Sequence, residues 1–443
     1  MFRPLTMMVG SLAKWTLHAA NIDPALVKAL IKKPAHVHGG RKTRRLPWPR
    51  RRHFGKLERD AVVKLMNREI RQGNAIVYDG AEEMAYTKAF AAYLGGGFAK
   101  AVNSGTNAVY VALRALDLEP GSEVIVPPIT DAGGCMPVAM MNCVPIPADS
   151  DVGSINTSAA QIENVITPRT AAILIAHVSG HPLDMDQILA LAKARRLPIV
   201  EDCAQAHGAI YKGRMVGTMG TIAAFSTMFG KHHSTGAQGG VVFTRDTMLF
   251  ARARQITDRG KPFGVVNPRG NGVASLNFNQ DEISMTIGRV QLKKLPATLT
   301  ARRAFVADVE HRMNGFESVC VVGPPPDSAG SYWFMLLKLD LSKLRCTNQE
   351  FAEGLYAEGI EGATGGYPVY PTDQPWYRNG IVYGESRLPW SLVQELPRVF
   401  PLPNARAANR MMVRVDVHEQ LGSKEAADLA AAIKKIARYY QRT

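Results

Sequence analysis

The chain is poor in cysteine, with five among 443 residues. Cys135, Cys143, Cys203, Cys320 and Cys346 are odd in number and widely scattered, and no CxxC spacing occurs. That argues against a disulfide framework and a cysteine-built zinc site, and it fits a reducing cytoplasm. Long apolar runs are missing too, and none approaches the roughly 20 residues of a membrane span. The apolar stretch at the N-terminus is broken at Lys14, so it reads as an extension rather than a secretory signal. Residues 1–57 are short of acids, with Asp23 alone against 13 Lys and Arg. That segment carries most of the formal charge of +15, leaving only +3 for the rest. It is densest at Arg41-Lys42-Thr43-Arg44-Arg45 and Arg50-Arg51-Arg52. Such a run can touch nucleic acid, anionic lipid or a phosphorylated ligand, or lie as a solvated arm or a strap on a partner subunit. No aromatic-interleaved pattern or binding fold accompanies it, so nucleic acid is not an expected partner.

What is present is ordinary for a globular chain: 46% hydrophobic and 21% charged residues, in a length that buries a large core without staples. Amphipathic spacing predicts helices over 57–73 and 83–94. From about residue 98 the pattern becomes α/β. Short apolar strands are expected at 98–102, 123–126, 171–178, 198–201, 222–225 and 240–244. Helices are expected at 104–116 and 182–195. Strands alternating with helices predict a sheet covered on both faces. A long helical stretch over 283–315 would bridge to a second α+β unit, with a strand at 333–339 and helices at 348–358 and 423–440. The expected division is a basic extension over 1–57, a large domain over 58–295 and a small C-terminal domain over 296–443.

Three groups of residues carry chemistry. In the first, a strand runs into Ser104-Gly105-Thr106, which opens a helix. Exposed N–H groups and the helix dipole there suit an anion such as phosphate, and Gly105 permits close approach. In the second, Asp202 follows an apolar run, at the strand end where open α/β sheets place ligands, with Gln205 three residues on. In the third, Ser226 and Lys231 lie in a loop that also holds Gly230, Gly236, Gly239 and Gly240. An acid that keeps a pyridine nitrogen protonated, a lysine and a phosphate cradle together suit pyridoxal phosphate.

The same segments resemble the DegT/DnrJ/EryC1/StrS family of pyridoxal-phosphate sugar aminotransferases. The likeness rests on Ser104-Gly105-Thr106, Ile166-Thr167-Pro168-Arg169-Thr170, His177-Val178-Ser179-Gly180 and Asp184-Met185-Asp186. It continues through Glu201-Asp202-Cys203-Ala204-Gln205-Ala206-His207-Gly208, Phe225-Ser226, Gln238-Gly239-Gly240 and Asn277-Phe278-Asn279-Gln280-Asp281-Glu282. The resemblance implies a fold-type I α/β architecture, with a mostly parallel seven-stranded sheet between helices and a smaller α+β domain. It implies a homodimer with shared active sites and pyridoxal 5'-phosphate as cofactor, cycling through pyridoxamine phosphate. Lys231 would make the Schiff base, Asp202 would pair with the ring nitrogen and Gln205 would lie by the phenolic oxygen. Gly105, Thr106 and Ser226 would hold the phosphate, and Asn277 would reach the phosphate of the neighbouring subunit. The implied reaction moves an amino group from glutamate or glutamine to a keto sugar, nucleotide-linked, or to a keto cyclitol.

The chain departs from the family pattern in three places. One extra residue lies between Phe225 and Gly240. Counting forward from Ser226 puts Lys231 at the Schiff-base position, and counting back from Gly239 puts His232 there. Lys231 is favoured, because the forward spacing is intact. Asp131 stands where the family usually has an aromatic that stacks on the cofactor, and Ala237-Gln238 replaces Gly-Glu. Two other readings therefore stay open. One is a pyridoxamine-phosphate sugar 3-dehydratase with His232 as base. The other is a non-catalytic regulator whose basic leader binds nucleic acid. Substrate contacts are expected from the loop 365–371 with Trp376 and Tyr377.

Overall fold

The structure, a computed structural model, describes residues 41–263, 269–367 and 369–442. Most of the basic extension, residues 1–40, lies outside the described residues.

The chain begins with two helices, α1 (Lys56–Gln72) and α2 (Ala81–Tyr93). The Glu58 carboxylate accepts from the Gly55 N–H at 2.9 Å, which satisfies a donor at the start of α1. Gly73, at a φ of 67°, ends that helix in the left-handed region. An alternating succession follows: β1 (Phe98–Val102), α3 (Gly105–Ala115), β2 (Glu123–Val126), β3 (Val144–Pro147), β4 (Thr170–Ala176), α4 (Met185–Arg195), β5 (Ile199–Asp202), β6 (Ile222–Ser226), β7 (Gly240–Thr244) and α5 (Thr247–Thr257).

These strands form one seven-stranded sheet in the order β1-β7-β6-β5-β4-β2-β3. Only β7 runs against the others. The β2, β5, β6 and β7 strands are buried throughout, as a sheet covered on both faces requires. Val124 and Val126 join Val109 and Leu113 of α3 on one face, while Ile125 joins Ile173 and Ile188 on the other. Sequence pattern had not singled out β3, whose Pro145 and Pro147 read as breakers. It is an edge strand, where a missing N–H costs no ladder bond.

Helix α6 (Glu282–Met313) continues without a break through Pro296. Its first half packs Met285, Leu292 and Leu295 against Tyr86 and Phe90 of α2. Its second half sends Phe305, Val306 and Val309 into a separate core. That core is closed by β8 (Val319–Val321), β9 (Phe334–Leu339), α7 (Asn348–Ala357), β10 (Ala363–Gly365), β11 (Met412–Asp416) and α9 (Ser423–Tyr440), while α8 (Pro403–Met411) packs Ala405 and Ala408 against Ala176, Val178 and Phe334. The second sheet runs β8-β9-β11-β10, antiparallel throughout. The chain is thus α/β, with a mostly parallel seven-stranded sheet and a separate C-terminal sheet and helix region. Among the described residues, no helix is long and apolar enough to cross a membrane.

Candidate active site

Strands β1, β5 and β6 point the same way, so their carboxyl ends meet at one edge of the sheet. Ser104 follows β1 and caps α3, its Oγ accepting from the Asn107 N–H at 3.1 Å. A Cβ on Gly105 would run into the Cβ and Oγ of Ser226, so the N-terminus of α3 and the end of β6 touch with only hydrogen between them. The exposed Thr106 stands beside them, and Gly133 lies against its hydroxyl. Ser104, Gly105, Thr106 and Ser226 therefore lie together.

Asp202 ends β5 and is buried. Its Oδ1 accepts from the Ala204 N–H at 2.9 Å, and its Oδ2 lies beside Gly134, where a Cβ would come within 2.9 Å. Glu201, one residue earlier, faces the other way, as strand alternation demands. It accepts from Gly217 and Met219 at 2.7 and 2.8 Å, from Gly220, and from His177 at 3.1 Å. Glu201 is thus satisfied by the scaffold, and Asp202 is the carboxylate turned toward Gly134 and the sheet edge.

Lys231 sits in a loop whose two arms are in register. Thr227 N–H donates to the Gly239 carbonyl at 2.8 Å, and Phe229 N–H to that of Ala237 at 3.2 Å. Those pairs continue the ladder of Ser226 with Gly240 and leave residues 230–236 as the apex of the loop. Lys231 is buried, with Nζ 3.6 Å from the ring centre of Trp333. Burial lowers its amine to about 8, against the pull of Asp131 and Asp202, while Arg414 pushes the same way as burial. Asp202 responds in the opposite sense: burial raises it, and the Ala204 N–H and the Lys231 charge restrain the rise. Lys231, Asp202 and Asp131 thus share one electrostatic neighbourhood. Asp131 is itself fixed by accepting from the Gly133 N–H at 3.1 Å.

His232 turns elsewhere. Its Nε2 meets the Ser331 carbonyl at 3.0 Å, and its ring lies 5.7 Å from that of His207 and 1% exposed. His233 meets the Tyr86 hydroxyl at 2.6 Å. Burial drives both imidazoles toward the neutral form, His233 down to about 3.

Two expected residues stand differently. Gln205 is buried beside the site, but its Oε1 already accepts from the Ser179 N–H at 2.9 Å and its Nε2 faces the Tyr367 hydroxyl at 3.4 Å. Asn277 is exposed and bonds within its own turn, to Asn279. The carbonyl of the next residue, Phe278, accepts from Asn103 N–H at 2.9 Å, which ties the segment to the Ser104 turn. Of the aromatics expected to meet substrate, Tyr367 is buried against Gln205 and stacks on Phe334. Trp376 and Tyr377 pack instead with Trp390 against β3. Sequence reasoning missed Trp333 and Arg414, which come from the C-terminal sheet region. Arg414 lies 5.4 Å from the Trp333 ring centre and pairs with Asp416 at 2.6 Å. The only sequence signal was a charge inside the apolar run Met412-Val413-Arg414-Val415.

The sequence profile of the DegT/DnrJ/EryC1/StrS aminotransferase family matches residues 59–433. The chain belongs to that family. This aminotransferase is 34% identical over 273 residues to the GDP-perosamine synthase of Escherichia coli O157:H7, covering 62% of this chain and 73% of that protein. It is 30% identical over 356 residues to the dTDP-3-amino-3,4,6-trideoxy-alpha-D-glucose transaminase of Streptomyces venezuelae, covering 80% and 87%. It is 27% identical over 418 residues to the L-glutamine:2-deoxy-scyllo-inosose aminotransferase of Micromonospora echinospora, covering 90% and 97%. Among solved structures, the aminotransferase from Psychrobacter cryohalolentis superposes with a TM-score of 0.78 at 27% identity, over 89% of this chain and all of that one.

The aminotransferase is pyridoxal-phosphate-dependent, and its residues suit the group. Ser226 meets Gly105 at the N-terminus of α3, where the first backbone N–H groups of a helix lack intrahelical partners and suit a phosphate. A buried carboxylate and a desolvated amine share one charged neighbourhood, the pair that a ring nitrogen and an aldehyde call for.

Proposed function

We propose that this enzyme moves an amino group from glutamate or glutamine to a keto group on a sugar, nucleotide-linked, or on a cyclitol, with Lys231 as the proton-transfer residue. The relatives support the substrate class, since they are named for a GDP-sugar, a dTDP-sugar and a scyllo-inosose, and one of them for L-glutamine. The observation that carries the role of Lys231 is its amine, buried over Trp333 in the same charged neighbourhood as Asp202. The bond of His232 to the Ser331 carbonyl weighs against the dehydratase reading. The regulator reading is weakened because Arg44 and Arg51 of the basic segment are spent on intramolecular ion pairs.

Bound pyridoxal phosphate supplies an aldehyde that takes up the amino group and a ring that draws electrons from a breaking carbon–hydrogen bond. Lys231 would hold the aldehyde carbon, and Asp202 would keep a proton on the ring nitrogen. Ser104, Gly105, Thr106 and Ser226 would bind the phosphate, and Gln205 would lie by the phenolic oxygen. With its amine lowered to about 8, Lys231 Nζ has a neutral fraction near pH 7 that can take a proton from the donor's α-carbon and return it at another atom. Arg414 places a cation beside that amine for the donor's carboxylate. We further propose a homodimer in which Asn277 of one copy completes the phosphate site of the other. Residues 58–295 would form the cofactor domain and 296–443 the domain supplying Trp333 and Arg414. The five free cysteines suit a cytoplasmic enzyme.

Borohydride reduction of the cofactor-loaded protein is expected to fix the cofactor on Lys231, as read by peptide mass. Lys231→Ala should lose both that label and the near-visible band of the bound cofactor, with turnover down at least about 100-fold. A label elsewhere, or an unchanged band in the variant, overturns the reading.

A further inference from the structure

The family match begins at residue 59, yet residues 43–55 reach the catalytic loop. They form a strap anchored at several points. Thr43 and Arg44 backbone N–H groups bond to Glu358 at 2.8 and 2.9 Å. The buried Arg44 pairs with Asp428 and Glu425 of α9 at 2.6 and 3.1 Å. Trp48 is buried in the core of the C-terminal region. The Pro49 carbonyl meets His418 at 3.0 Å, and that of His53 accepts from Gln291 at 2.9 Å.

Between those anchors, Arg51 extends to the loop that carries Lys231. Its Nη1 donates to the Gly230 carbonyl at 3.1 Å and its Nη2 to the Lys231 carbonyl at 2.9 Å. Its Nε lies 3.0 Å from Glu419 Oε1, and Glu419 is held in turn by Arg302 at 3.2 Å. The planar guanidinium therefore clamps two successive peptide carbonyls with one edge while a carboxylate fixes the other. Trp333 Nε1 also donates to Gly230 O at 3.1 Å. The ring over which the Lys231 amine sits is thus fastened to the same peptide.

We propose that Arg51 is a positioning residue for the transamination: by clamping the carbonyls of Gly230 and Lys231 to Glu419 and the strap, it aims the Lys231 amine. The inference rests on the reading of Lys231 given above. The strap over residues 43–55 is then part of the catalytic apparatus, and this chain needs it for turnover. Arg51 touches no substrate, and its effect passes wholly through the backbone of the loop.

The test compares Arg51→Met and Arg51→Lys with Arg52→Met, a matched change at an exposed neighbour, in the cofactor-loaded full chain. Borohydride should still label Lys231 in all of them. At saturating amino donor, the rate of the half-reaction per bound cofactor should fall about tenfold or more in Arg51→Met with donor KM nearly unchanged, as a misaimed base requires. The dissociation constant for pyridoxal 5'-phosphate, from absorbance titration of the cofactor-free protein, should rise with it. Arg51→Lys, which keeps the charge but not the fork, should fall between. Arg52→Met should match the unaltered enzyme. A strap that only stabilises the fold would lower the melting temperature and leave the rate per bound cofactor intact, and that result overturns the proposal. If Arg51→Met does not fold, Arg51→Lys decides, and an unaltered rate there overturns it equally. A label absent from Lys231 in the unaltered enzyme defeats the reading of Lys231, whereas a label present with no effect at Arg51 defeats this inference alone.

Discussion

Lys231 owes its chemistry to what surrounds it rather than to its type. A lysine in water is protonated near neutral pH and useless as a base. Burial brings this amine down to about 8, and two carboxylates keep it from going lower. The sign of each contribution can be tested separately. Asp131 favours the ammonium, so Asp131→Asn should move the midpoint of Lys231 below about 8. Competitive acylation of the cofactor-free protein across pH, with Lys231 followed by peptide mass, measures that midpoint. Labelling should rise with pH in both forms and should rise at lower pH in the variant. An unmoved midpoint would separate Asp131 from the site. Asp131 was legible in the sequence as a departure from the family pattern. Its closeness to Lys231 was not, since 100 residues separate the two.

At the scale of elements, the proposed phosphate cradle is a contact between the start of α3 and the end of β6. Ser-Gly-Thr before a helix reads plainly in sequence, because N-cap chemistry is local. The need for glycine comes from Ser226, which lies more than 100 residues away along the chain. Gly105→Val should therefore drive α3 away from β6 and weaken pyridoxal 5'-phosphate binding by about tenfold or more, with helix content nearly intact; a loss of one or two phosphate hydrogen bonds is enough for that. Absorbance titration beside circular dichroism checks it, and unaltered affinity would remove the turn from the cofactor site. The central strands β2, β4, β5, β6 and β7 were visible as short apolar runs because both of their faces are buried. The β3 and β11 strands were not, one interrupted by two prolines and the other by Arg414. In β11 the interrupting residue is the one whose charge acts on Lys231.

Across the whole molecule, one chain leaves surface features near the candidate site uncovered. Phe229, two residues before Lys231, is 46% exposed, and Asn277 turns outward. Sedimentation velocity of the cofactor-loaded protein should therefore give twice the mass of the chain, and a fully active monomer would overturn the shared-site reading. The sequence alone determined the α/β class, through short apolar strands alternating with helices, and its likeness to the family implied the mostly parallel sheet and the cofactor. It also singled out Ser104, Asp202, Ser226 and Lys231 as candidates, through capping, strand ends and spacing that depend on neighbours a few residues apart. Tertiary structure alone decided that Lys231 and not its neighbour His232 faces the carboxylates, since one residue of rotation in a loop apex leaves no trace in composition. It also decided that Trp333 and Arg414 reach the neighbourhood of Lys231 from the C-terminal sheet region, and that residues 43–55, legible only as charge, lie as a strap whose Arg51 grips the loop of Lys231. The hydrogen bonds of Trp333 and Arg51 to that loop span 103 to 180 residues. They exist only because α6 carries the second core back over the edge of the first sheet.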